Sequence, residues 1–182
     1  MSKQEVILSE KPEQSLTKAI QQIAFDKLFI LTDENTHRFC LPLIQEIECL
    51  KGTDPILIGA GDTHKTLETL ASVWKALGDR GASRHSLLIN LGGGMVTDLG
   101  GFAASTFKRG IPYINVPTTL LAMVDASVGG KTGINFNGLK NEVGVFAPAQ
   151  SVIIDTEFLK SLDRENLCSG SVSYTHLRAH ET

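Results

Sequence analysis

Short apolar runs alternate along this chain with stretches whose apolar residues recur every three to four positions. Val6–Leu8, Leu28–Leu31, Pro55–Ile58, Leu87–Leu91, Tyr113–Val116 and Ser151–Ile154 predict six strands. Leu16, Ala19, Ile20, Ile23 and Ala24 predict a helix lying on a core. Phe39, Leu43, Ile47 and Leu50 predict a second, with Pro42 in its first turn. Leu67, Leu70, Ala71 and Trp74 predict a third that closes near Gly78, and Met95 to about Phe107 a fourth. Strands that are apolar throughout and separated by helices imply a sheet covered on both faces. The prediction is therefore a doubly wound α/β domain with a mostly parallel sheet over roughly residues 1–155. Such sheets bind ligands where strands end and helices begin.

Two strand-to-helix turns carry unusual chemistry. The fourth strand runs into Gly92-Gly93-Gly94, where missing side chains let a ligand reach the backbone and the next helix presents free N–H groups. A tight turn with close helix–strand packing would use the same glycines. The segment is neither a GxGxxG fingerprint nor a P-loop. After the fifth strand come Thr118-Thr119, then Asp125 among apolar residues, Gly129-Gly130-Lys131, and Lys140-Asn141. Thr118 fits an N-cap as well as a ligand contact. Asp125 needs a partner, and Lys131 is the obvious one, in a structural ion pair or in a site.

Composition narrows the function classes. The 182 residues are 42% hydrophobic and 20% charged, with a net charge of −3, which fits a globular domain with a core. No excess of Lys and Arg is present to neutralise phosphates, so no nucleic-acid partner is expected. No apolar run is long enough to span a bilayer, and the first residues lack a secretory signal, so neither a membrane nor export is expected. Cys40, Cys49 and Cys168, odd in number and irregularly spaced, suit a reducing compartment. The expected location is cytoplasmic.

The segments LGGGMVTDLGGFAASTFKRGI, VPTTLLAMVDASVGGKTGIN and LKNEVGVFAPAQSVIIDTEFLKSL closely resemble the 3-dehydroquinate synthase family, NAD- and metal-dependent enzymes of the shikimate pathway. The resemblance covers residues 1–170 and implies the family's Rossmann-like, nucleotide-binding N-terminal domain. The family's all-helical C-terminal domain, which carries the zinc or cobalt site, is expected to be missing. The resemblance implies NAD contacts at Asp33, Asn35, Asp62, Lys65, Gly93, Gly94, Met95, Asp98, Thr118, Thr119, Lys140, Phe158, Ser161 and Leu162. Asp62 stands where the family usually has Glu, and Thr97 where it commonly has Gly. Asp125, Lys131 and Asn141 match residues that face the substrate. Arg109 resembles the arginine that reaches the substrate phosphate across a homodimer interface. The implied reaction converts the sugar-acid phosphate 3-deoxy-arabino-heptulosonate 7-phosphate into 3-dehydroquinate and phosphate.

Beyond Gly170 the resemblance stops. The family's first metal ligand, a Glu, would fall at position 173, where this chain has Ser173. Residues 171–182 look like a translated sequencing adapter and are expected to be non-native. His176 and His180, four positions apart with Glu181 beside them, have a spacing that suits zinc on a helix, but a third ligand and a framework are lacking. The metal ligands are therefore expected to be absent from this chain, and the chain to be inactive alone. Alternative readings are a related sugar-phosphate cyclase, a metal-dependent polyol dehydrogenase of the glycerol type, and a non-catalytic nucleotide-binding module.

Overall fold

The computed structural model describes residues 4–162. The expectations for Cys168, Ser173 and the tail histidines lie outside the described residues. Six strands, β1 (Glu5–Ser9), β2 (Leu28–Asp33), β3 (Ile56–Ile58), β4 (Leu87–Gly92), β5 (Tyr113–Pro117) and β8 (Ser151–Asp155), form one sheet in the order β1-β8-β5-β4-β2-β3. Every pairing in it is parallel. The helices are α1 (Pro12–Gln21), α2 (Glu34–Phe39), α3 (Leu67–Asp79) and α4 (Gly94–Thr106). Phe29, Leu31 and Leu88 face one core with Leu70, Val73, Leu99 and Phe102 of α3 and α4. Ile30, Leu87 and Ile89 face the other, with Leu16 and Ile20 of α1 and Phe158. The two-residue alternation thus feeds two cores, and the sheet is apolar on both sides.

The helix expected over Phe39–Leu50 does not form. Instead α2 starts earlier, at Glu34, under a capping box: the Thr36 N–H donates to Asp33 Oδ1 (2.7 Å) and the Asp33 N–H to Thr36 Oγ1 (3.0 Å). Pro42 cannot continue an α-helical ladder and disfavours helix at the residue before it. The chain answers with successive three-residue turns, in which the Ile44, Ile47 and Leu50 amides donate to the carbonyls of Leu41, Ile44 and Ile47. Leu41, Ile44, Ile47 and Leu50 are buried as a result, whereas Phe39 and Leu43 are exposed.

A second departure is an antiparallel hairpin, β6 (Lys131–Phe136) and β7 (Leu139–Phe146). Its turn, Asn137-Gly138, has positive φ at both residues (49° and 77°), the backbone demanded by a two-residue hairpin turn and the reason Asn-Gly is favoured there. Preceding the hairpin is a π-turn, Ala122–Ala126.

α4 buries eight of its thirteen residues, and Gly100 lets it lie against the sheet. A Cβ at Gly100 would fall on Asn90 Oδ1 and within 2.8 Å of Leu31 Cδ2. Asn90 is itself fixed, its amide donating to Asn115 Oδ1 at 3.0 Å. Gly100→Ala is therefore expected to destabilise the fold by about 1–3 kcal/mol, the usual cost of overpacking, despite its better helix propensity. The urea midpoint checks this; an unchanged or raised midpoint would contradict the packing described.

Candidate active site

The chain leaves β2 toward the β3 edge and leaves β4 toward β5, so a crevice opens beyond the carboxyl ends of these neighbouring strands. Both turns at that crevice bear residues singled out above. β2 ends in Asp33, which caps α2, with Asn35 exposed beside it. β4 ends in the glycine turn, and α4 begins at Gly94 with no side-chain cap from Gly93. The first bond of α4 runs from the Thr97 N–H to the Gly93 carbonyl at 3.0 Å. The N–H groups of Gly94, Met95 and Val96 precede it, at the positive end of the helix dipole.

A cleft of about 980 Å³ occupies this crevice. Fourteen of the residues singled out from the sequence line it: Asp33, Asn35, Asp62, Lys65, Gly93, Gly94, Met95, Asp98, Thr118, Thr119, Asp125, Lys131, Asn141 and Leu162. Arg109, Lys140 and Phe158 do not line it. The Phe158 side chain is fully buried in the core. Lys140 is exposed and pairs with Asp62 at 3.1 Å. Ser161 ends the 3-10 turn Thr156–Ser161. Arg109 follows the far end of α4, about 20 Å from its first turn at 1.5 Å per residue, so it does not reach the cleft of its own chain. Lys108 and Arg109 both have positive φ (49° and 72°).

Thr97 does not intrude on the cleft. Its hydroxyl folds back to donate to the Gly94 carbonyl at 3.1 Å, and the side chain is buried. The capping role considered for Thr118 falls to Thr119, whose hydroxyl accepts from the Ala122 N–H at 3.3 Å. Thr118 instead joins the two turns through its N–H, which donates to the Gly92 carbonyl at 3.0 Å.

The expected pairing of Asp125 with Lys131 is not present: no ion pair among the described residues joins them, and both are exposed at the cleft. The pairing that does form is Lys65 with Asp98 at 2.5 Å, the lysine side chain being 5% exposed. Lys65 Nζ also donates to Asn141 Oδ1. Burial pushes the Asp98 carboxyl above its usual range; the Lys65 charge opposes this, and the charges of Asp125 and Asp62 add to it. Burial also acts to raise Asp62, but the hydrogen bonds from Lys140 and Asn135 and the charges of Lys140 and Lys65 outweigh it and hold the group below the usual range. Among the described residues, no three His, Cys, Asp or Glu are grouped to hold a metal ion. No helix among them is long and apolar enough to cross a membrane.

Residues 55–169 match the family model described as 3-dehydroquinate synthase N-terminal. The chain belongs to the 3-dehydroquinate synthase family. The 3-dehydroquinate synthase of Parabacteroides distasonis is 54% identical over 170 residues, covering 93% of this chain and 48% of the relative. The chain thus spans about half the length of the curated relatives it matches. Among solved structures, 2-epi-5-epi-valiolone synthase from Streptomyces hygroscopicus, with NAD+ and Zn2+ bound, superposes with a TM-score of 0.82 at 30% identity, covering 93% of this chain and 48% of that one. A 2-deoxy-scyllo-inosose synthase complexed with carbaglucose-6-phosphate, NAD+ and Co2+ gives 0.82 at 26%, covering 91% and 46%.

Sequence reading missed the hairpin that carries Lys131 and Asn141 into this synthase-type cleft, although Asn137-Gly138 marked its turn. It also missed Asn135, which is hydrogen-bonded to Asp62 and Asn141 at the cleft and whose signal was its place two residues before that turn.

Lys65→Met is expected to cost about 3 kcal/mol at pH 7.5, the low end for removing one partner of a buried pair. It also removes the influence that lowers Asp98. A carboxyl whose folded-state pKa is raised contributes stability that is present at low pH and lost as pH rises through that value. The gap between variant and wild type should therefore narrow as pH falls from 7.5 into the ordinary carboxylate range, as read by urea unfolding. A gap independent of pH would contradict the pairing.

Proposed function

We propose that this chain is the nucleotide-binding part of a cytoplasmic, dimeric 3-dehydroquinate synthase, which converts 3-deoxy-arabino-heptulosonate 7-phosphate to 3-dehydroquinate and phosphate. In this reading residues 1–170 are the family's domain and 171–182 are foreign to it. The observation that carries it is the uncapped first turn of α4, which opens into the same cleft as Asp125, Lys131 and Asn141.

The residues present fit NAD. The pyrophosphate lies on the N–H groups at the start of α4, where glycines keep the approach open. Asp62, held ionised, accepts a ribose hydroxyl, with one methylene less reach than the usual Glu. Thr118 and Thr119 line the next turn. When bound, NAD supplies a reversible oxidation of one ring hydroxyl, which acidifies the neighbouring C–H so that phosphate leaves by β-elimination before the equivalents are returned. Lys131 and the Asn141 amide hold the anionic and hydroxyl groups of the sugar acid, and the exposed Asp125 carboxylate accepts from a substrate hydroxyl. Arg109 of each chain faces the substrate phosphate of a partner copy.

The described residues do not fit a divalent metal, so zinc or cobalt has no part in the steps assigned to them. Turnover is assigned to the longer protein, and this chain alone is inactive. Across the sugar-phosphate cyclases the nucleotide cradle is shared, so the choice of 3-dehydroquinate synthase over its relatives rests on the 54% identity to a protein of that name.

Calorimetry with NAD+ tests the cradle. A side chain at Gly94 would point at Ala126, whose Cβ lies 3.2 Å from the position of a Cβ there, so Gly94→Val is expected to weaken NAD+ binding at least tenfold. Equal affinity would remove the pyrophosphate from this turn. Phosphate release measured with substrate, NAD+ and Zn2+ or Co2+ should show no sustained turnover by the 182-residue chain; sustained release would refute the division of labour.

A further inference from the structure

Asn135 of β6 is hydrogen-bonded to three residues that line the cleft, Asp62, Lys65 and Asn141. Its Nδ2 donates to Asp62 Oδ2 at 3.1 Å and to the Asp62 carbonyl at 3.3 Å. Its Oδ1 accepts from the Asn141 N–H at 3.0 Å, and its own N–H donates to the Lys65 carbonyl at 2.8 Å. Asn141 sits at φ 54°, in the left-handed region that Asn tolerates better than most residues, and there its N–H is directed at the Asn135 acceptor. The Asn141 side chain then accepts from buried Lys65. One amide therefore joins the turn bearing Asp62 to the hairpin strand bearing Asn141.

We propose that Asn135 is a positioning residue that locks the nucleotide-facing carboxylate of Asp62 and the substrate-facing amide of Asn141 into one register. The proposal rests on the reading of the cleft as an NAD site. Geometry selects an amide here, because the position must donate to a carboxylate and accept from a backbone N–H at once. Aspartate has the same shape but cannot donate when ionised, and alanine does neither.

The test uses the 182-residue chain and its Asn135→Ala and Asn135→Asp variants, with the Asp62 carboxyl followed by carbon-13 NMR against pH and NAD+ affinity measured by calorimetry. Loss of the donor should move the Asp62 titration up toward the ordinary carboxylate value in Asn135→Ala. The shift should be larger in Asn135→Asp, where a second negative charge stands beside it. Exchange of the Asn141 amide with solvent should accelerate at least tenfold in Asn135→Ala and stay near wild type in Asn135→Asp, which keeps the acceptor. NAD+ affinity should fall about tenfold in both variants. A purely structural role would not separate the two substitutions in this way. If Asn135→Ala does not fold, Asn135→Asp carries the test through the Asp62 titration and NAD+ affinity. An unmoved Asp62 titration overturns the proposal whatever the chain binds, and so does NAD+ affinity within twofold of wild type when wild type binds. If wild type binds no NAD+ while the titration and exchange respond as expected, the cofactor reading fails and the lock between Asp62 and Asn141 stands.

Discussion

A buried ammonium group holds the cleft together. Lys65, in the connection between β3 and α3, pairs with Asp98 in the first turns of α4 and donates to Asn141 on the hairpin. Three segments distant in the chain thus converge on one charge. Removing two ions from water is costly unless their geometry is good and their remaining hydrogen-bonding capacity is met, and here a second acceptor on Lys65 helps to meet it. The Lys65 charge acts on both Asp98 and Asp62, with Asp98 raised by burial and Asp62 held low by its own partners, while the Asp125 charge pushes Asp98 further up. Neighbouring groups of the same type are thereby set to different proton affinities, a pattern common to sites that handle charged ligands.

The glycine turn depends on this frame. An open helix start attracts an anion only if nothing else fills it. α4 is held close to the sheet through Gly100, and Thr97 turns its hydroxyl inward, so the first-turn N–H groups are left facing the cleft. The π-turn that carries Asp125 is held from below by Asn115, whose amide donates to the Ser127 carbonyl at 3.3 Å, while the Ser127 hydroxyl donates to the Ala122 carbonyl at 2.7 Å. Under the proposed reading such fixity has a use, because a cofactor that takes up and returns the same electrons would have to be held in one place.

Much of the fold was legible in the sequence because burial on both faces of a parallel sheet leaves a strong mark, an unbroken apolar run. All six runs became strands of that sheet, α3 followed its stripe, and α4 formed over nearly the expected span, whereas α1 ends at Gln21 and leaves Ile23 and Ala24 of its stripe outside the helix. The segment after Phe39 was misread because its apolar spacing satisfied a helical stripe that Pro42 cannot support, while the residues truly buried recur every three positions. The hairpin was missed because Gly133, Gly144 and the polar run Lys140-Asn141-Glu142 interrupt the alternation of Ile134 and Phe136 in β6 and of Val143 and Val145 in β7; Asn137-Gly138 still marked its turn. Most of the positions implied by family resemblance line one cleft. Pairings were another matter, since Lys65 meets Asp98 across 33 positions of sequence, where Lys131 had seemed the nearer cation for Asp125.

A pyrophosphate seated on the first turn of α4 is visible to nitrogen-15 NMR of the 182-residue chain titrated with NAD+. Saturable shifts of the Gly94, Met95 and Val96 amides are expected, with changes at the Thr118-Thr119 turn. Shifts confined to other regions, or none at millimolar NAD+, would contradict that placement.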